Sequence, residues 1–140
     1  MARIKFDTQL LQVMSLFQKI TRTTLKDAIP NGDKGQIVFV VQAGQLSRAV
    51  GKKGANVKLL ESKLNRKIKI VEFNPQLIPF VRGVIYPLKA ENIEEEDGVV
   101  TITPPDSKTR GLLIGRNAQN LRRTESIVKR YFNIKELRVK

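Results

Sequence analysis

Apolar side chains recur at helical spacing in the first part of the chain. Over residues 8–22 they form one stripe of a predicted helix, with Asp7 or Thr8 as its expected N-cap. That stripe consists of Leu10, Val13, Phe17 and Ile20. Residues 23–29 alternate only weakly, so a short edge strand and a loop both stay open there. After a dense turn pattern at 30–35, the β-branched segment 36–42 predicts a buried strand.

Two short helical segments follow this strand, and a glycine-bracketed turn joins them. Before the turn, Leu46 and Val50 lie four residues apart. After it, an i, i+3, i+7 pattern runs through Val57, Leu60 and Leu64. The turn itself reads Gly51-Lys52-Lys53-Gly54. Residues 67–73 then alternate as a strand, so the first half predicts the order helix, strand, strand, helix, turn, helix, strand.

The second half predicts the same order. A helix from Asn74-Pro75 to about Val84 precedes a strand from Leu88 to Glu94 and a turn at 94–98. The strand 99–103 is followed by an Asp106-capped helix that ends near Ile114. After the turn 115–118, we expect a helix to about Phe132 and a last strand at 134–139.

The two halves also agree in sequence at an offset of 64 residues. Four residues of the first half meet identical residues in the second: Gly51, Asn56, Glu61 and Ser62 meet Gly115, Asn120, Glu125 and Ser126. Four further pairs are alike in chemistry: Val50 with Ile114, Lys52 with Arg116, Val57 with Leu121, and Lys58 with Arg122. Such self-similarity predicts two copies of one module, each a three-stranded sheet covered by helices. We place the modules at residues 1–73 and 74–140.

Missing residue types narrow the chemistry. The chain of 140 residues has no cysteine and no histidine, which excludes thiolate metal sites, thiol catalysis and histidine general bases. No Walker-type phosphate loop occurs, and no carboxylate pair stands out for metal or acid–base work. We therefore expect no enzyme, no metal and no cofactor. No apolar run approaches a membrane span, and the start lacks a signal-peptide core, so we expect a cytoplasmic protein without a membrane partner.

Charge points to a polyanionic partner. Lysine and arginine number 26 against 13 acidic residues, a formal net charge of +13. Residues 1–73 carry 14 basic and 5 acidic residues, a net of +9, while residues 74–140 carry 12 and 8, a net of +4. A highly charged but merely solvated surface is the alternative, although acidic residues then rise together with basic ones.

The glycine-bracketed turn is suited to binding a phosphate. Glycine permits φ > 0 and removes the Cβ atoms that hold a ligand away from the backbone. The helix after the turn offers free N–H groups and the positive end of its dipole. A plain glycine C-cap between two helices is the alternative interpretation.

These motifs resemble the KH domain, in which a Gly-x-x-Gly loop between two helices clamps single-stranded nucleic acid. The element order resembles the type II form. The run from Gln45 to Lys58, together with the tandem arrangement, is similar to the KH region of the NusA family, and Asn120-Leu121-Arg122 echoes it in the second copy. The length is similar to that of the archaeal NusA-like proteins, without the additional domains of bacterial NusA.

The resemblance implies an α+β fold of two tandem type II KH domains and a transcription factor that binds single-stranded RNA in termination or antitermination. RNA polymerase or its elongation complex is then the expected partner, and the chain a monomer. Two other roles stay open: a KH protein of ribosome assembly or RNA processing, and a protein-interaction scaffold. The implied RNA-binding residues are Arg48, Gly51, Lys52, Lys53, Gly54, Lys58, Gly115, Arg116, Asn117, Ala118, Arg122 and Arg123. Val50, Val57 and Ile70 are predicted either to line a groove for the bases or to belong to the core.

The second loop departs from the motif, because Ala118 stands where the second glycine belongs. A methyl group restricts φ and obstructs close approach of a ligand to the backbone. We therefore expect the first loop to carry most of the RNA affinity. Each half alone is small, and the junction Phe73-Asn74-Pro75 is direct, so we expect the two modules to pack rigidly.

Overall fold

The computed structural model of the chain describes residues 2–31 and 35–140, and for residues 2–7 it describes the backbone only. The chain divides into two compact units, Met1–Phe73 and Asn74–Lys140. Each unit follows the order α-β-β-α-α-β and contains one three-stranded sheet. The predicted α+β class and the tandem arrangement are confirmed.

Six elements build the first unit. They are α1 (Ala2–Thr21), β1 (Leu25–Pro30), β2 (Ile37–Val41), α2 (Leu46–Val50), α3 (Ala55–Leu64) and β3 (Ile68–Glu72). The central strand β2 pairs antiparallel with β1 and parallel with β3. The weakly patterned segment 23–29 is therefore an edge strand, with an irregular register between Leu25 and Asp27. Part of the turn predicted at 30–35 lies outside the described residues.

The first helix begins earlier than predicted. We expected its N-cap at Asp7 or Thr8, but α1 already begins at Ala2. No glycine or proline interrupts residues 2–7, and Phe6 lies four positions before Leu10 in the apolar stripe. An unbroken helical pattern therefore outweighs the capping preference of a single polar residue.

The core of the first unit lies between its helices and the sheet. Phe17 of α1 stacks on Phe39 of β2, with ring centroids 4.2 Å apart and an interplanar angle of 18°. Ala49 of α2 and Leu60 of α3 are fully buried in the same cluster. Leu60 belongs to the stripe predicted for α3, whereas Ala49 lies outside the predicted α2 pair, Leu46 and Val50, which are half-buried. Ala49 and Leu60 thus hold α2 and α3 in the core.

The second unit repeats this plan. Its elements are α4 (Leu77–Ile85), β4 (Asn92–Glu96), β5 (Val99–Thr103), α5 (Ser107–Ile114), α6 (Gln119–Lys129) and β6 (Glu136–Val139). Strand β5 is central, antiparallel to β4 and parallel to β6. Asp106 caps α5 as predicted, its Oδ1 accepting the Thr109 amide at 2.7 Å. That hydrogen bond lowers the pKa of the Asp106 carboxyl.

Several predicted boundaries in the second unit are wrong. Helix α4 begins at Leu77 rather than at Pro75, because the Asn74 side chain accepts the Gln76 amide and forms a turn there. Helix α6 ends at Lys129, three residues before the predicted Phe132, and β6 begins at Glu136 rather than at 134.

The acidic run is a strand and not a turn. We expected a strand from Leu88 to Glu94 and a turn at 94–98, but Glu94, Glu95 and Glu96 lie within β4. Asp97 and Gly98 form a two-residue hairpin with φ of 52° and 83°. A tight hairpin turn with positive φ at both positions favours the dipeptide Asp-Gly.

Among the described residues, no helix is both long enough and apolar enough to cross a membrane.

Candidate nucleic-acid interface

The first glycine-bracketed turn has positive φ at Gly51, Lys53 and Gly54, and the last two are left-handed. Gly51 has φ 80° and ψ 166°, Lys53 has φ 55° and ψ 29°, and Gly54 has φ 74° and ψ 20°. The turn is closed by a hydrogen bond from the Gly54 amide to the Gly51 carbonyl at 3.1 Å. A short turn of this kind directs successive N–H groups towards one side, where they can bind an anion.

Donors and cations meet at this turn. No side chain caps the short 3₁₀ turn at 52–54 or the start of α3. The Ala55 amide donates to the Lys52 carbonyl, whereas the amides of Lys52 and Lys53, at the start of the turn, lack an intrahelical partner. The side chains of Lys52 and Lys53 are exposed, as are those of Arg48 on α2 and Lys58 on α3. The structure therefore places four cations on the two helices and the loop that join here. An exposed N-terminus with flanking cations can bind a phosphate.

A carboxylate fixes the start of the helix before the loop. Oε1 of Glu72, at the end of β3, accepts the Gly44 amide at 2.9 Å and the Leu46 amide at 3.1 Å. These amides belong to the entry of α2, which no capping side chain of its own serves. Glu72 thus joins the edge strand β3 to the start of α2, the helix that leads into the loop.

The predicted groove residues lie at the margin of the core. Val50, Val57 and Ile70 are all half-buried. Val57 and Ile70 pack against the buried cluster of the first unit and still present part of their surface to solvent. Val57 lies on α3, one of the two helices that the loop joins, and Ile70 lies on β3, the edge strand of the sheet. Both of the roles left open by the sequence are therefore compatible with their burial.

The second turn has the same backbone as the first. Gly115 has φ 75° and ψ 176°, Asn117 has φ 54° and ψ 33°, and Ala118 has φ 59° and ψ 23°. The largest difference in φ between matched positions is 15°, from 74° at Gly54 to 59° at Ala118. Alanine at the second glycine position has not changed the course of the chain, although an L-residue in this region is strained.

The surroundings of the two loops differ in charge. Arg116, Asn117 and Arg122 are exposed, while Arg123 is half-buried. Asn117 replaces the charged Lys53, and Leu112, which is 48% exposed, occupies the position of Arg48 in the repeat. The second loop thus keeps the shape of the first with fewer cations and a methyl group at its second glycine position.

Two asparagines belong to the loops although they were not among the predicted site residues. Nδ2 of Asn56 donates to the Arg48 carbonyl at 3.2 Å, and Nδ2 of Asn120 donates to the Leu112 carbonyl at 2.8 Å. The signal was present in the sequence, since these residues are identical in the repeat and follow the loop by two positions. A glutamate that is also repeated joins a helix to the sheet in each unit. Glu61 accepts the amide of Ile68, and Glu125 accepts the amide of Leu137.

Comparison with known proteins places the chain in a family. The model of the NusA-like second KH domain matches residues 18–76, which include the first loop. A protein of Methanococcus vannielii, named probable transcription termination protein NusA, is 30% identical over 140 residues, covering 98% of this chain and 80% of that protein. The chain belongs to the NusA family.

Other NusA relatives match over similar lengths. Proteins with the same name from Methanocaldococcus jannaschii and Halobacterium salinarum are each 28% identical to the chain. These matches cover 99% and 97% of the chain, and 76% and 98% of the respective relatives. The crystal structure of APE1850 superposes with a TM-score of 0.72 at 27% identity, over 93% of this chain and 96% of that one. Both units therefore belong to the NusA-like tandem KH fold.

Proposed function

We propose that the chain is a NusA-like transcription factor that binds single-stranded RNA through its KH domains and acts in transcription termination or antitermination. The observation that carries this proposal is the first loop, where the amides and the exposed side chains of Lys52 and Lys53 meet on a turn whose shape suits an anion. The names of the relatives, each a probable transcription termination protein, support the process.

In this proposal the RNA backbone crosses the first loop with phosphates at 51–54. The amides of Lys52 and Lys53 donate to phosphate oxygens, and the side chains of the two lysines neutralise the phosphate charge. The bases lie over the half-buried Val50, Val57 and Ile70, between α2, α3 and the edge strand β3. The second loop, with fewer cations and a methyl group at Ala118, contributes less to affinity.

The role of the first loop is tested by reversing its charge. Lys52→Asp together with Lys53→Asp is expected to abolish most of the binding of a fluorescent single-stranded RNA, because two phosphate contacts become repulsive and only the weaker contribution of the second loop is left. The control is Lys89→Asp with Lys135→Asp, two exposed lysines outside both loops that change the net charge equally. Both variants should retain the circular dichroism of the parent chain. Undiminished RNA affinity of the loop variant would remove the basis of the proposal.

The expected protein partner is RNA polymerase. A tagged full-length chain should co-purify with polymerase subunits from the cells in which it is expressed naturally, including after nuclease treatment. A KH protein of ribosome assembly would instead co-purify with ribosomal particles. Recovery of ribosomal proteins without polymerase would replace the transcription role and leave RNA binding intact.

A further inference from the structure

Asn56 and Asn120 occupy the same place in the two units. Each is the second residue of the helix that follows a loop, and each reaches back across the loop to the helix that precedes it. The acceptors are the carbonyls of Arg48 and Leu112, at 3.2 and 2.8 Å. Both carbonyls belong to the last turn of their helix, where a carbonyl has no intrahelical donor. The neighbouring carbonyls of Ser47 and Gly111 accept the amides of Gly51 and Gly115.

The asparagines also fill the space beside the first glycine of each loop. A Cβ atom on Gly51 would lie 2.9 Å from Cγ of Asn56, and one on Gly115 would lie 2.7 Å from Cγ of Asn120. Glycine is required at these positions by a contact as well as by its positive φ. By contrast, a Cβ atom on Gly54 would meet no atom within 4 Å. The second glycine position is therefore open, and in the second loop it is occupied by Ala118 without a change of fold.

We infer that Asn56 and Asn120 are positioning residues that hold each loop in its phosphate-binding shape. The first glycine and the asparagine fix the course of the backbone, while the second glycine relieves strain at a positive φ and leaves space for the ligand. This explains why the loop keeps its dihedral angles when the second glycine is an alanine. The inference rests on the proposed RNA-binding function, which uses the same loop amides.

The test compares Asn56→Ala with Ser62→Ala in the full chain. Ser62 is a matched control, because it lies exposed on the same helix and is also identical in the repeat. With the asparagine removed, the loop samples other conformations, so RNA affinity should fall about five- to tenfold, the equivalent of one neutral hydrogen bond. The amide resonances of residues 52–54 should shift and exchange faster with solvent. Ser62→Ala should change neither affinity nor resonances.

A double-mutant cycle tests the contact with the glycine. Gly51→Ala clashes with the Asn56 side chain in the parent chain, but in the Asn56→Ala background this side-chain clash is removed, which leaves the φ strain and a contact of 3.0 Å with the backbone nitrogen of residue 56. The two effects on stability should therefore be non-additive, with the double variant more stable than the sum of single losses implies. Additive effects would contradict the packing on which the inference depends.

Failure of this inference can be told apart from failure of the proposed function. If the parent chain binds no RNA, the proposed function fails. The amide resonances of residues 52–54 in Asn56→Ala still show whether Asn56 holds the loop in shape. If Asn56→Ala matches Ser62→Ala in both affinity and resonances, the inference is overturned and RNA binding stands. If Asn56→Ala unfolds its unit, Asn120→Ala is compared with Ser126→Ala at the second loop. Unfolding there too would make the asparagine a general stability residue and overturn its positioning role.

Discussion

The second loop provides a direct measure of backbone strain. Ala118 has φ 59°, in a region that costs an L-residue about 1–2 kcal/mol. Ala118→Gly removes this strain, and the greater freedom of glycine in the unfolded chain offsets about 0.4–1 kcal/mol of the gain. We expect a net stabilisation of roughly 1 kcal/mol. Urea unfolding followed by circular dichroism measures it, with an unchanged m-value as the condition for comparison.

The first loop supplies the opposite substitution and its control. Gly54→Ala should destabilise the chain by about 1 kcal/mol, because its Cβ meets no neighbour and only the positive φ is strained. Gly51→Ala has a similar φ and in addition a contact at 2.9 Å with Asn56, so its loss should be larger. A neutral or destabilising Ala118→Gly would refute this reasoning, as would equal losses at Gly51 and Gly54.

The same substitution tests whether the methyl group obstructs RNA. In a chain whose first loop is inactivated by Lys52→Asp and Lys53→Asp, the remaining affinity should reside in the second loop. Ala118→Gly should strengthen that residual binding, because the backbone of the loop becomes accessible at its second glycine position. If the residual affinity does not change, the methyl group is not the obstacle, and the lower charge of the second loop accounts for its weaker binding.

Three further predictions concern salt, core and cap. If RNA binding uses about four phosphates, affinity should fall about 50-fold between 50 and 200 mM salt, and a flat salt titration would contradict the phosphate contacts. Phe17→Ala removes a fully buried ring stacked on Phe39 and should cost about 3–5 kcal/mol in urea unfolding, whereas a substitution at an exposed position of the same helix, such as Gln12→Ala, should cost little. Asp106→Ala should lower the melting temperature near neutral pH, and Asp106→Asn, which still caps α5 but lacks the charge, should lower it less. Because the Thr109 amide lowers the pKa of Asp106 below its ordinary 3.8, this stabilisation is complete above that value and is lost as the pH falls through the lower folded pKa. The melting temperatures of the parent and Asp106→Ala should therefore converge in acid, and a constant difference at all pH values would contradict the role of the charge.

Sequence patterns were sufficient where one strong local preference acted. The β-branched run of β2 and the Asp106 cap of α5 were predicted because each has a local physical cause. The weak pattern of β1 became an interpretable strand only through the repeat, since an edge strand needs little apolar content. The predicted turn at 94–98 contains the hairpin Asp97-Gly98 but begins three residues too early, because the exposed acidic run of β4 lacks the apolar alternation of a strand, although Asp-Gly is itself a strong hairpin signal.

The residues of the candidate site could be proposed from the sequence, but the hydrogen bonds that hold its loop and helices in place could not. Glycines and lysines at fixed spacing indicate a phosphate loop from the sequence alone. The Asn56 side chain donates to the Arg48 carbonyl, and the Glu72 side chain accepts the Gly44 amide. Both hydrogen bonds join segments that are separated in the sequence. Such contacts depend on how helices and strands are packed, which a one-dimensional pattern does not specify.

We propose that two loops of nearly identical backbone bind RNA unequally, with the first the stronger. Lys52→Asp and Arg116→Asp change equivalent positions of the repeat by the same charge, so they form a matched pair. The most direct measurement is the affinity of each full-length variant for one single-stranded RNA at fixed salt. We predict a much larger loss for Lys52→Asp than for Arg116→Asp. Equal losses, or a larger loss for Arg116→Asp, would contradict the unequal roles of the two loops.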